Sequence, residues 1–339
     1  MSQAKSLFVL IALLATGAVF LPGSVSVPQA SADGPNVIRF ASIVPSGSPF
    51  MKAMKAWNRS LKELTENRVE LRYYTGGSQG DERDFIRKMR VGQMDAAGVS
   101  TTGLGIVARP VLVLTAPGLI TTYEQALKAR TELTERFAKL FADSGFVALS
   151  MGEGGKNRVF SAKQFERPED LKSGRPWAWK DDPVFAEFIR AIGANPVRLG
   201  LNEVYGGLQT RMIDTVPASA LAAVALQWYT RLKYMAKDNF GVIVGGALLK
   251  KEKFDELSEH DQKVLIETSV QAGKANDVLV RRTDQRAYDA LIKRSMIEVD
   301  TSAYKAEWDA VAKTARENLV GRVYSKSLLE AVEKIVASE

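Results

Sequence analysis

Four groups of residues in this 339-residue chain have types and spacings that could do chemistry. The only histidine, His260, lies between Glu259 and Asp261, as a general base with acidic neighbours would. Ser258-Glu259-His260-Asp261 is also a capping-box variant, which makes His260 an exposed residue at a helix start. With that one histidine committed and no cysteine at all, common zinc sites and histidine-activated nucleophiles have no parts to draw on. Gly152 to Lys156 has the outline of a phosphate loop, but position 150 is Ser150 rather than glycine, and Asn157 follows the lysine. A nucleotide-binding loop is excluded on both counts. Asp181-Asp182 are adjacent carboxylates at a helix start, where acids complement the helix dipole, and nothing marks them as a hydrolytic pair. Trp177 and Trp179 alternate along a strand and so share a face. Two indoles side by side can floor a site for a flat or apolar ligand; the alternative is that both pack on the helix 183–192. The inventory is that of a binding protein, not an enzyme, with no cofactor and no metal.

The elements that must position these residues alternate throughout. Val37 to Ile43 is a β-branched run, and an amphipathic helix from Pro49 to Thr65 follows, with Met54, Trp57, Leu61 and Leu64 at helical spacing. Val69 to Tyr74 predicts a strand, Asp81 to Val91 a helix and Asp95 to Ser100 a strand. This order predicts parallel strands with crossover helices. Helix-compatible sequence from Ser258 to about Arg294 predicts a helix of roughly 55 Å. The alternative is two helices broken near Gly273. Phe185 and Phe188 at helical spacing, and Trp228 with Tyr229, read as core.

An internal parallel points to a cleft. M-R-V-G-Q-M-Asp95 leads into Ala96 to Thr101, and L-Q-T-R-M-I-Asp214 leads into Thr215 to Ser219. Each is a helix, a turn, an aspartate and a strand that opens into small or hydroxylated residues. Ligands of open α/β sheets lie beyond the carboxyl ends of strands, so two such ends would face each other across a site.

Lys5 is the only charge before Asp33, Leu7 to Leu21 is mostly apolar, and Ala30-Ser31-Ala32 offers small residues for cleavage. The pattern is that of a secretory leader spanning 1–32. The alternative, a membrane anchor, is broken by Gly17, Pro22 and Gly23 and is short for the ~20 residues a bilayer needs. The net charge of +7 is spread among acids, without the basic, aromatic-interleaved block of a nucleic-acid groove. No nucleic acid is expected as partner. About 300 residues after a leader suggest two lobes.

Asp170 to Asp214 is the most telling stretch. It reads D-L-K-S-G-R-P-W-A-W-K, then a helix ending in A-I-G-A-N-P-V, then E-V-Y-G-G-L-Q-T-R-M-I-D. This resembles the second-lobe signature of the DctP-type solute-binding proteins of TRAP (tripartite ATP-independent periplasmic) transporters: D-L-K-G-L-K-I-R-V, A-L-G-A-N-P-V and E-V-Y-x-A-L-Q-T-G-x-x-D-G. I-R-F-A-S-I-V-P-S-G-S-P, S-Q-G-D-E-R and M-R-V-G-Q-M-D-A-A continue the resemblance through the first half.

The resemblance implies an α/β, two-lobe periplasmic-binding-protein-like fold with a cleft between the lobes and a long helix spanning both. Lobe I would take 33–152 plus about 243–272, and lobe II 153–242 plus about 273–339. The family's ligand-carboxylate clamp arginine falls on Trp177, the asparagine that orients it on Ala218, and the phenylalanine before E-V-Y on Leu201. A second family arginine falls on Arg158, with Lys156 or Asn157 as the alternative register. Ile43, Val99, Ser100, Thr101 and Asp81 fall on the first-lobe wall, and Trp179 neighbours the clamp position. Replacing two partnered polar groups together is close to neutral, whereas removing one strands the other. The paired change therefore describes a remodelled site for an apolar or amphipathic ligand rather than a small dicarboxylate. By the same resemblance the protein is an exported periplasmic receptor that delivers a small molecule to TRAP permease subunits, with a periplasmic tetratricopeptide-repeat protein as a further partner. The alternative is a sensing or scaffold subunit that kept the fold without transport.

Overall fold

Alternation of strands and helices builds one mixed eight-stranded sheet in the computed structural model, which describes residues 34–338. The expected leader and its cleavage point lie outside the described residues. The strands are β1 (Asn36–Ser42), β2 (Val69–Tyr74), β3 (Ala96–Ser100), β4 (Phe146–Ser161), β5 (Trp177–Trp179), β6 (Val197–Leu199), β7 (Thr215–Ala218), β8 (Tyr234–Ala236), β9 (Gly241–Lys250) and β10 (Ile297–Val299). Their order is β10-β8-β4-β9-β3-β1-β2, with β7 also on β4, while β5 and β6 pair separately. β1 is parallel to both β2 and β3, with helices Pro49–Leu64 and Glu82–Arg90 as the crossovers. The expected elements of this region appear within one residue at each end.

One strand ties the lobes together. β4 pairs antiparallel with β9 from Phe146↔Lys250 to Asn157↔Gly241, then with β7 from Arg158↔Ala218 to Ser161↔Thr215. One continuous strand thus belongs to the sheet of each lobe in turn. The first lobe closes over Phe85, Met89, Phe137, Phe141 and Leu248, with Phe40, Trp57 and Leu61 on the other face. The second closes over Phe160, Trp177, Val216 and Trp228, with Phe165 and Phe188 beyond.

The aspartates of the internal parallel do the same job twice. Asp95 accepts the backbone N–H of Arg39 at 2.7 Å, and Asp214 accepts that of Arg175 at 2.7 Å. Each ties the start of its strand to a neighbouring segment. Ser100 and Ser219, at the far ends, each cap the helix that follows.

The helix Glu259–Lys293 is unbroken over 35 residues, about 52 Å at 1.5 Å per residue. Ser258 caps it, and His260 is exposed in its first turn. Gly273 does not break it. A Cβ there would stand 3.4 Å from the Met151 carbonyl oxygen, an ordinary contact, so the helix lies on β4 at a distance that does not demand a glycine. Further along, Glu153 of β4 accepts from Arg281 at 2.7 and 2.8 Å and from Arg130 at 3.1 Å, while Asp277 accepts from Arg130 at 2.8 Å. Burial pushes the Glu153 carboxyl up, and the Arg281 hydrogen bond opposes it. This network fastens β4, the long helix and helix Tyr123–Glu132 at the crossing between lobes.

Leu328, Val332 and Ile335 of the final helix, Lys326–Ala337, share a core with Phe137 and Phe141.

Candidate ligand-binding cleft

The strand ends and helix starts of both lobes enclose a cavity of about 400 Å³, within the usual range for small-molecule sites. From the first lobe, Ile43, Val99, Ser100 and Thr101 line it; from the second, Trp177, Trp179, Leu201 and Ala218 do. These are eight of the ten residues expected there. Trp177 and Trp179 lie on the same side, with ring centroids 6.3 Å apart, as strand alternation requires. Trp177 is anchored by its indole N–H, which donates to the Leu199 carbonyl at 3.0 Å.

Arg158 is not in the cavity. Its guanidinium lies 4.7 Å over the Tyr288 ring and donates to the Lys237 carbonyl. Neighbouring side chains on a strand point to opposite faces, so the cavity receives Asn157 instead. The alternative register is the one the strand adopts.

Asp81 is not part of the wall either, but it works across it. It caps helix Glu82–Arg90, and its Oδ2 accepts the Trp179 indole N–H at 2.9 Å and the Leu201 backbone N–H at 3.1 Å. Arg83, two residues on, pairs with Asp181 of the second lobe. The lobes are therefore closed upon each other at this edge.

Several wall residues were read as core or not singled out. Trp228 stands edge-on to Trp177 with centroids 5.5 Å apart, and Phe185 stacks on Phe240 at 5.4 Å. All four rings reach the cavity, as do Trp57 and Glu82. Aromatic spacing alone does not separate a ring facing an empty site from one facing a core. Glu82 is an acid that is buried at the start of the amphipathic helix Glu82–Arg90.

The electrostatics of the wall are one-sided. Among the described residues that line it there is no Lys, Arg or His, while Glu82, Glu153 and Asp182 are present. Glu153 is matched by its arginines. Asp182 is spent on capping helix Pro183–Ile192, accepting from the Val184 and Phe185 N–H groups. Burial raises its carboxyl above the ordinary range while those bonds oppose it. Glu82 accepts from the Ser100 N–H at 2.7 Å and the Ser100 hydroxyl at 2.8 Å. Gly103 is required beside it, because a Cβ there would come within 2.6 Å of Glu82 Oε2.

Comparison with known proteins bears on this arrangement. Residues 40–322 match the DctP family, described as bacterial extracellular solute-binding protein, family 7. A solute-binding protein of Chromohalobacter salexigens is 25% identical over 276 residues, which is 80% of this chain and 82% of that one. The 2,3-diketo-L-gulonate-binding periplasmic protein YiaO of Escherichia coli is 25% identical, covering 84% and 87% respectively. In fold, the chain is similar to a TRAP periplasmic solute-binding protein from Desulfovibrio salexigens, solved with bound orotic acid. That structure has a TM-score of 0.83 at 18% identity and covers 89% of this chain and 99% of its own. No helix among the described residues is long and apolar enough to cross a membrane.

Proposed function

The chain belongs to bacterial extracellular solute-binding protein family 7, the DctP-type solute-binding proteins of TRAP transporters, and from that premise we propose that it is a periplasmic receptor for an apolar or amphipathic small molecule. Exported by its leader and cleaved after Ala32, it takes its ligand between the lobes, closes, and hands it to the membrane permease subunits. A tetratricopeptide-repeat protein of the periplasm would be a further partner. The observation that carries the ligand class is the wall itself: Trp177, Leu201 and Ala218 line the cavity, and among the described residues lining it there is no Lys, Arg or His.

Magnitudes support that choice. A hydrogen bond to a charged group contributes about 1.5–3 kcal/mol, so a lost clamp costs a carboxylate ligand about ten- to a hundredfold in affinity. An apolar ligand burying about 200 Å² would gain about 5 kcal/mol from the same walls. No bond needs to be made or broken. Contacts available only in the closed state shift an open–closed equilibrium, and Asp81, Arg83, Trp179 and Asp181 supply protein contacts in that state.

Native mass spectrometry of the protein purified from periplasm, followed by extraction of what it carries, tests this reading. An apolar or amphipathic molecule is expected. A C4-dicarboxylate or sugar acid bound stoichiometrically would refute the ligand class, and failure to bind any member of a broad metabolite library by thermal shift would refute the receptor role.

A further inference from the structure

The polar atoms that the cavity wall leaves unmatched are acceptors. Among the described residues lining it, the buried side-chain atoms without a hydrogen-bond partner are the Oδ1 atoms of Asn157 and Asn276. Asn276 is 8% exposed, and its amide nitrogen already donates to the Glu153 carbonyl at 3.1 Å, so the oxygen is the free end. Burying such an oxygen unpaired costs about 1–3 kcal/mol.

Glu82 makes the stronger demand. It is 3% exposed and lines the cavity. Both its oxygens accept from Ser100, and the Gly103 backbone contributes as well. A carboxylate has about four acceptor positions, so room remains for a further donor. The groups around it are neutral donors or acids: Ser100 and Gly103 on one side, Asp81 on its own helix, Asp182 across the cavity. Among the described residues Glu82 has no ion-pair partner, in contrast to Glu153 with its two arginines. A buried carboxylate without a cation is costly.

Rings complete the picture. Trp177, Trp179 and Trp228 line the same cavity, and indole faces attract cations. Trp179 is bonded to Asp81, the residue immediately before Glu82, so the aromatic wall adjoins the acidic one.

We propose that the ligand is an apolar molecule bearing a protonated amine and no carboxylate, with the amine held at Glu82. This deepens the receptor reading and rests on it. An ammonium supplies both the donors and the charge that this wall lacks; a hydroxyl supplies only a donor, and a carboxylate adds a second anion. Burial pushes the Glu82 carboxyl up to about 7, with Asp81 pushing the same way. An amine binds the ionised form, so its affinity should rise with pH through that region.

Three probes that share an indole body and differ in the head group provide the test: tryptamine, tryptophol and indole-3-acetate, titrated calorimetrically into the mature protein. Tryptamine should bind at least tenfold more tightly than tryptophol, and indole-3-acetate most weakly. Tryptamine affinity should rise severalfold from pH 6 to pH 8. In Glu82→Gln, with its fold verified by circular dichroism, the amine preference should shrink to within about threefold and the pH dependence should flatten. Indole-3-acetate binding as tightly as tryptamine would overturn the inference and leave the receptor role intact. So would a wild-type amine affinity that does not change with pH, a measurement that needs no variant. Absence of binding by all three also overturns it, whereas the receptor role is decided by the periplasmic extract and the library screen.

Discussion

The carboxylate of Asp81 and the indole nitrogen of Trp179 lie 2.9 Å apart, one at a helix start in the first lobe and the other at the end of β5 in the second. The same oxygen takes the Leu201 N–H at 3.1 Å. A single acid thus reads the position of the opposite lobe twice, and it can do so only when the cleft is shut.

Trp179→Phe removes one of those bonds and leaves the Asp81 cap intact. A hydrogen bond to a charged acceptor at a partly exposed site contributes on the order of 1.5 kcal/mol, so ligand affinity should fall about tenfold. Small-angle scattering should show a larger radius of gyration for the variant at subsaturating ligand. Equal affinity and equal radius would mean that this bond follows closure without contributing to it.

Glu82 sets a pH dependence of stability in the ligand-free protein. Its carboxyl sits at about 7 when folded, because of burial, against an ordinary 4.5. Between those values the unfolded chain has lost the proton that the folded protein keeps, so its contribution to stability falls as pH rises from 4.5 to 7 and is level above. The full change is about 3 kcal/mol. Urea denaturation at pH 4.5 and pH 8 should therefore show Glu82→Gln gaining on the wild type by about that amount. A difference between the two proteins that stays constant with pH would contradict it.

Glu153→Ala removes the buried acid that joins Arg130 and Arg281 at the crossing of β4 and the long helix, and leaves Arg130 with Asp277 and Arg281 with Glu124. Breaking a buried pair from one side costs about 3–5 kcal/mol. Glu153→Gln, which retains an acceptor, should cost less, and equilibrium urea unfolding would rank the two. Equal stability of the wild type and the alanine variant would show that the network carries no weight.

Trp177 is both wall and anchor, at 3% exposure with its indole N–H on the Leu199 carbonyl. Trp177→Ala should cost about 3–5 kcal/mol in stability. The milder Trp177→Phe keeps an apolar ring while losing part of the wall, so affinity for an apolar ligand should drop while the fold survives. A Trp177→Phe protein that unfolds normally and binds its co-purified ligand as tightly as wild type would place the indole outside the binding contacts.

Much of this was legible from residue order. Strand and helix positions followed from apolar periodicity and caps, as with Val69–Tyr74 and the Ser258 start of the long helix. The motif run from Asp170 to Asp214 identified the family, because its spacing is built into a strand, a helix and a second strand that must meet. Trp177, Trp179 and Leu201 of the wall lie within that run, and Ile43, Val99, Ser100, Thr101 and Ala218 came from the rest of the resemblance. By the resemblance, Trp177 and Ala218 fall where the family has a polar pair, and the proposed ligand class starts from that reading.

What the chain's order did not contain was which side of each element faces empty space. Asn157 and Arg158 are adjacent and chemically plausible in either place. The register of β4 against β7 and β9 turns the asparagine into the cavity and sends the arginine under Tyr288. Trp228 and Phe185 have the spacing of core residues and are half core, half wall. The final helix shares a core with Phe137 and Phe141, far from it in sequence. Local sequence determines the elements, through backbone propensity and periodicity acting over a few residues. Cavity walls, and the absence of Lys, Arg and His among the described residues lining them, arise from how segments distant in sequence pack together, and only the packed chain decides those.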